Sequence, residues 1–342
     1  MKILLLADLH LTDKSSEEYR WGVFNWIMEL VRTYKLENII ILGDITDSKD
    51  KHSAVLVNRM VDELSRITYL SVNIYIVMGN HDYIDPNTPF FGFLNRIQRI
   101  NFVSKTSGFF LKETYFYLIP NNGMSLNNRK DIDLENMYSA DYVFIHETIN
   151  QAVGSNGFKL PGLKPEFFKD CKGKVYSGDI HVPQFIDPIR YVGAPYSIKF
   201  GDEYAGGGII IDTERGGTDL DVFYDSPMRL SIKVKDSSEL LGLYNIGNLR
   251  EGDHLKVKVQ LPRGRIQDWG FHRDEIKAFC ANKGIELFGI ALEEIKRVKL
   301  KKKGESKVVN SGTPDSILKE YAKRESIGDE VITAGLSLLG EK

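Results

Sequence analysis

Five short polar clusters, each directly after a run of apolar residues, carry the side chains of this sequence that could do chemistry. They are Asp8-Leu9-His10, Gly43-Asp44-Ile45-Thr46-Asp47, Gly79-Asn80-His81-Asp82, His146-Glu147 and Gly178-Asp179-Ile180-His181. Together they hold enough oxygen and imidazole donors for two metal ions. Carboxylates and imidazoles with one amide oxygen are a donor set for two-metal hydrolysis of a phosphate ester. No cluster justifies this alone: Asp-x-His arises by chance in many chains, and Gly-Asn-His-Asp reads equally well as a turn. Taken singly, Asp8, Asp44 and Asn80 are also helix caps or turn formers, and His146 is a core or edge histidine. Their order and their shared position after strand-like runs join them.

Such residues need elements that bring them together across the chain. The runs 3–7, 39–42, 74–78, 142–145 and 175–177 are short and apolar or β-branched, the pattern of strands buried on both faces. Between the first three runs, Trp21, Phe24, Ile27, Leu30, Val31 and Tyr34, then Val57, Met60, Val61, Leu64 and Ile67, recur at helical spacing. This predicts a βαβαβ start. In such sheets the crevice beyond the carboxyl ends of the strands holds the ligand, and every cluster sits at one of those ends.

At 342 residues the chain exceeds a usual single core, so a large domain with smaller units is expected. Two cysteines, Cys171 and Cys280, cannot make a disulfide framework, and a reducing cytosol is the simplest setting. No stretch approaches a membrane span, and the apolar run 3–7 is too short for a signal sequence. A net charge of −2 supplies no global basic field, so any nucleic-acid binding must be local. Beyond the last cluster, glycine-marked turns lead to a strand at 209–212, and the region through about residue 225 is expected to close a second sheet over the first. From 226 to 298 alternating strands and helices predict a separate small α+β domain. A lysine-rich linker over 299–312 and a helical tail over 313–342 would follow. The lysines of the linker are either a solvated spacer or a DNA contact.

The five clusters resemble the calcineurin-like metallophosphoesterase superfamily, whose pattern is Asp-x-His, Gly-Asp-x-x-Asp, Gly-Asn-His-Asp/Glu, a lone His and Gly-His-x-His. Tyr191-Val192-Gly193, the stretch Phe200-Gly201-Asp202-Glu203, the small following domain and the tail are similar to SbcD-type nuclease subunits of a double-strand-break repair complex, including a compact phage-encoded branch. The resemblance implies a four-layer α/β (α+β) β-sandwich flanked by helices, with a nuclease domain over 1–225, a capping, DNA-binding domain over 226–298 and a partner-binding tail. It implies two divalent ions, Mn²⁺ or Mg²⁺, one on Asp8, His10 and His181 and one on Asn80, His146 and Asp179, with Asp44 bridging. His81 would be the general acid or phosphate orienter, with Asp82 fixing its tautomer; Asp47 would anchor a loop. His52 would touch substrate phosphate or be a water-exposed histidine at a helix start. Activity would be exonuclease with single-strand endonuclease action on DNA, in bacterial or phage-infected cytoplasm, as a homodimer with an SbcC-type coiled-coil ATPase docked on the tail. A small-molecule phosphatase or cyclic-nucleotide phosphodiesterase, and a non-catalytic scaffold, are the alternatives. Asp179 departs from the pattern, which has histidine there.

Overall fold

The computed structural model describes residues 1–202, 204–215 and 217–295; the linker and tail expected over 299–342 lie outside the described residues. The first three apolar runs form β1 (Lys2–Leu6), β2 (Asn38–Leu42) and β3 (Asn73–Val77), parallel and adjacent. Successive side chains on a strand point to opposite faces, so β1 feeds two cores. Leu4 and Leu6 pack with Phe24, Ile27 and Val31 of α1 (Val23–Tyr34) and Met60, Leu64 and Ile67 of α2 (Ala54–Thr68). Ile3 and Leu5 face the opposite way, into a core shared with a second sheet. Ser53 starts α2, its side chain accepting from the Leu56 amide at 3.1 Å.

After β4 (Ile100–Val103) the chain builds the second sheet from β5 (Ser107–Leu111), β6 (Thr114–Ile119), β7 (Tyr142–His146), β8 (Lys174–Gly178), β9 (Gln184–Ile186) and β10 (Ile189–Tyr191), in the order β5-β6-β7-β8-β10-β9. Phe116, Phe144 and Tyr176 of this sheet stack on one another in the core shared with the first sheet, and Val143, Ile145 and Val175 turn outward to Met137 of α3 (Leu134–Ser139) and Phe168. The layers are therefore helix, sheet, sheet and a partly helical outer layer.

Beyond the last cluster β9 and β10 do complete the second sheet, but the region from there through residue 225 does not, contrary to the expectation from sequence. Strands β11 (Gly207–Asp212) and β12 (Thr218–Phe223) return to the first sheet, whose order is β12-β11-β1-β2-β3-β4. The reason is that β11 is apolar on both faces, so its pattern fits an interior place in either sheet. In the structure Ile3 pairs with Ile211, Ile210 faces the helices, and Ile209 and Ile211 face the second sheet.

Past Asp225 a third sheet has its own core. Strands β13 (Arg229–Val234), β14 (His254–Pro262) and β15 (Glu286–Ile295) are parallel in that order. Helices α4 (Ser237–Gly242), α5 (Tyr244–Gly247) and α6 (Trp269–Lys283) lie between them in sequence. Leu230, Leu240, Val257, Val259 and Ile276 are buried together there. Among the described residues no helix is long and apolar enough to cross a membrane.

Candidate metal centre

Asp8 and His10 follow β1, Asp44 follows β2, Asn80, His81 and Asp82 follow β3, His146 ends β7, and Asp179 and His181 follow β8. The carboxyl ends of both sheets thus meet at one place. To turn these side chains inward the backbone enters the left-handed region at Asp8 (φ 55°), His10 (φ 42°), Asp44 (φ 54°) and Asp179 (φ 79°). Asp and His tolerate that region better than most non-glycine residues. The close approach also demands glycine. A Cβ on Gly43, itself at φ 82°, would lie 2.3 Å from His146 Nδ1, and one on Gly79 would lie 2.3 Å from Asp44 Oδ1.

Asp44 is the centre of the arrangement. Its Oδ2 lies 3.5 Å from His10 Nε2 and its Oδ1 lies 3.4 Å from His146 Nε2, so one buried carboxylate faces two donor sets. On one side the ring nitrogens of His10 and His181 approach to 3.2 Å, and Asp8, His10 and His181 can place one donor atom each within 4.8 Å of one another. On the other, Asp8, Asp44 and His146 do the same, with Asp179 Oδ1 3.8 Å from His146 Nε2 and accepting from the Asn80 amide at 3.0 Å. His146 Nδ1 donates to the Leu42 carbonyl at 2.7 Å, which leaves the Nε2 lone pair free to bind. Asp8 Oδ2, Asn80 Oδ1 and His146 Nε2 are buried and have no hydrogen-bond partner. Buried polar atoms are nearly always paired, and three unpaired lone pairs converging on anionic carboxylates fit divalent cations.

The two sides differ in charge. Burial pushes His10 down to about 3 against the opposing pull of Asp44, and the nearby His181, His81 and Arg20 add to the depression. Burial also disfavours the charged form of His146, but Asp44, Asp8 and Asp179 together raise it well above the usual histidine range. Burial raises Asp8 as well, with Asp44 and Asp179 adding to it against the pull of His146. Asp44 stays below the ordinary carboxylate range because His146 and His10 overcome its desolvation.

Several expected roles change. Asp82 does not fix the tautomer of His81: its buried carboxylate accepts backbone N–H bonds from Gly79 (2.7 Å), Asp44 (3.0 Å) and Ile45 (3.0 Å), tying two ligand loops together. The Asp47 carbonyl accepts from His81 Nδ1 at 2.8 Å instead, and the Asp47 carboxylate lies 3.7 Å from His10 Nδ1. His52 is half-buried beside the ligand loop rather than simply water-exposed. Its Nε2 meets Thr46 Oγ1 at 2.8 Å and the Ser48 carbonyl at 3.0 Å, and its ring packs 4.3 Å from Phe90, bracing the loop after Asp44. Sequence reasoning missed Thr148, which donates to Asp179 Oδ2, and Asn121, whose amide donates to the His146 carbonyl at 3.2 Å while its Oδ1 accepts from Tyr83. Asn121 had a usable signal, since Pro120-Asn121-Asn122 is another polar cluster directly after a strand run.

Comparison with known proteins places this geometry. The profile of the calcineurin-like phosphoesterase family matches residues 1–183, more than half of the chain. The chain belongs to the calcineurin-like phosphoesterase family. The match covers all of the ligand-type residues named above. Among relatives, this family member is 26% identical over 235 residues to exonuclease subunit 1 of Enterobacteria phage T4, covering 64% of the chain and 67% of the phage protein. It is 30% identical over 90 residues to the SbcD component of the nuclease SbcCD of Escherichia coli, covering 25% of the chain but only 22% of the bacterial protein. A dimetal phosphatase from Danio rerio aligns in structure with a TM-score of 0.34 at 12% identity, over 66% of this chain and 99% of its own, too low a likeness to bear on function.

Proposed function

We propose that this calcineurin-like phosphoesterase is a DNA nuclease that works with two divalent ions, Mn²⁺ by preference. Membership of a phosphoesterase family sets the reaction as hydrolysis of a phosphate ester. The observation that carries the metal reading is Asp44, set between two groups of buried donors that include unpartnered lone pairs. In this reading Asp8, His10 and His181 would hold one ion and Asn80, His146 and Asp179 the other, with Asp44 serving both. Two such ions, when bound, lower the pKa of a water and neutralise charge on the attacked phosphate. The protein does the rest through orientation. Asn80 presents its carbonyl oxygen because its amide is spent on Asp179, and His146 presents Nε2 because Nδ1 is spent on Leu42. His81 keeps Nδ1–H on the Asp47 carbonyl, so the proton it gives to a leaving oxygen comes from Nε2.

DNA as substrate, in preference to a small phosphomonoester, is supported by the nuclease names of the phage and bacterial relatives. A recombination or repair role in bacterial or phage-infected cytoplasm, dimerisation, the small third sheet as a cap over the substrate and an ATPase partner on the tail belong to the same reading. Oxygen-rich donors on the Asp179 side favour manganese or magnesium over zinc. The test is purified protein with Mn²⁺ or Mg²⁺ on labelled linear duplex DNA, single-stranded DNA and a generic phosphomonoester. Cleavage of DNA with little release from the monoester is expected, and the reverse preference refutes a nuclease.

A further inference from the structure

The loop carrying Asp8 and His10 is held by its carbonyls. Leu9 O accepts from the Tyr196 hydroxyl, His10 O accepts from the Arg20 guanidinium, and Thr12 O accepts from the Trp21 indole at 2.9 Å. Arg20 is among the largest fully buried side chains of the protein and reaches no solvent that could compete for these contacts. It pairs with Glu17 at 3.2 Å and also donates to the Ile198 carbonyl at 3.3 Å. Both of those partners are shared. Arg229, the first residue of β13 in the third sheet, lies 3.4 Å from the same Glu17 carboxylate and donates to the same Ile198 carbonyl at 2.8 Å.

We infer that Arg229 is a positioning residue, which couples the third sheet to the ligand loop of Asp8 and His10 through Glu17 and Arg20. This rests on the two-ion reading above and adds to it. One carboxylate serves two buried guanidinium groups, and neither guanidinium Nε has a partner. Removing Arg229 would therefore free Glu17 and Ile198 O to draw Arg20 away from the His10 carbonyl. The backbone of Arg229 is fixed too: its carbonyl accepts from the Gly201 amide at 2.8 Å, and its guanidinium lies 4.4 Å from the Phe200 ring, so a shift of β13 moves the guanidinium with it. Because His10 enters the left-handed region, its ring orientation depends on these outer contacts rather than on backbone preference alone. A coupling of this kind is reciprocal: an ion on Asp8, His10 and His181 should in turn steady the third sheet against the body.

The experiment is calorimetric titration of Mn²⁺ into the full chain, parental and with Arg229→Met, Arg229→Lys and Glu17→Gln, without substrate. Arg229→Met should weaken one of two binding events by about 10- to 100-fold, the scale for partners that orient a ligand, and leave the other unchanged. Arg229→Lys, which keeps the charge, should recover part of the loss. Glu17→Gln should weaken the same event and, combined with Arg229→Met, fall short of additivity. Hydrogen exchange gives a second readout: Mn²⁺ should slow exchange of the Gly201 amide in the parental protein and not in Arg229→Met. Equal weakening of both events, or a parental profile in Arg229→Met and Glu17→Gln, overturns the coupling while leaving the metal centre standing. A parental protein that binds no ions overturns the metal centre, and the coupling with it.

Discussion

Replacing Asp179 with Ala removes three contacts at once. Its Oδ1 accepts from the Asn80 amide at 3.0 Å and lies 3.8 Å from His146 Nε2, and its Oδ2 accepts from Thr148. A hydrogen bond to an ionised group is worth about 1.5–3 kcal/mol. Release of Asn80 alone should therefore weaken the ion on the His146 side by roughly 10- to 150-fold, at about 1.4 kcal/mol per decade. Loss of a carboxylate ligand adds to this, so calorimetric titration with Mn²⁺ should register one ion where the parental protein takes two, and DNA cleavage should be lost. The side formed by Asp8, His10 and His181 should keep its affinity. Asp179 sits at φ 79°, where a left-handed backbone costs about 1–2 kcal/mol for most side chains. The alanine variant should accordingly also melt a few degrees lower. Asp179→His separates the two effects: it too removes the carboxylate, yet it restores the donor that the family pattern has at this position and should bind two ions. An alanine variant that still binds two ions with parental affinity refutes the assignment of Asp179 to the centre.

His81→Ala should leave both ions bound and lower turnover by ~10²–10⁴-fold; a parental cleavage rate in Mn²⁺ would remove His81 from the chemistry. Gly43→Ala would press a methyl to 2.3 Å from His146 Nδ1 and 2.7 Å from Gly79 Cα, so it should lower both the melting temperature and ion binding. Gly157→Ala, at a similar φ of 76° with open space around it, is the matched control and should change stability alone. Indistinguishable ion binding in the two variants would disprove the close-packing argument. Ending the chain after Gly312 should abolish co-purification with a coiled-coil ATPase partner and preserve Mn²⁺-dependent cleavage, and an intact complex would exclude the tail as the docking segment.

The strands that carry the ligands were legible because each is a short buried run ending in a polar cluster, a signal contained within about ten residues. Sheet membership was not legible in the same way. Gly207–Asp212 is apolar on both faces, and only its pairing with Lys2–Leu5, about 200 residues earlier, decides where it lies. The ligand types were readable for the same local reason, whereas their supports come from elsewhere. Thr148 reaches Asp179, Asn121 reaches the carbonyl of His146, and Asp82 serves Asp44 and Ile45 rather than its neighbour His81. A hydrogen bond between loops of different sheets leaves no periodicity in the chain. His52 shows the same limit: its Nε2 meets Thr46 and Ser48 and its ring packs on Phe90, contacts that its own loop sequence does not announce.

The left-handed backbone at Asp8, His10, Asp44 and Asp179 sets heat resistance against function in this protein. Glycine is the residue that relaxes such a conformation without steric cost, so selection for thermal tolerance alone would favour glycine at the four positions where it erases donor atoms. Campaigns to harden the enzyme should hold these sites fixed and look for gains in the outer helices, such as the solvent-facing turns of α1 and α2, where propensity and capping can be improved without touching the loops.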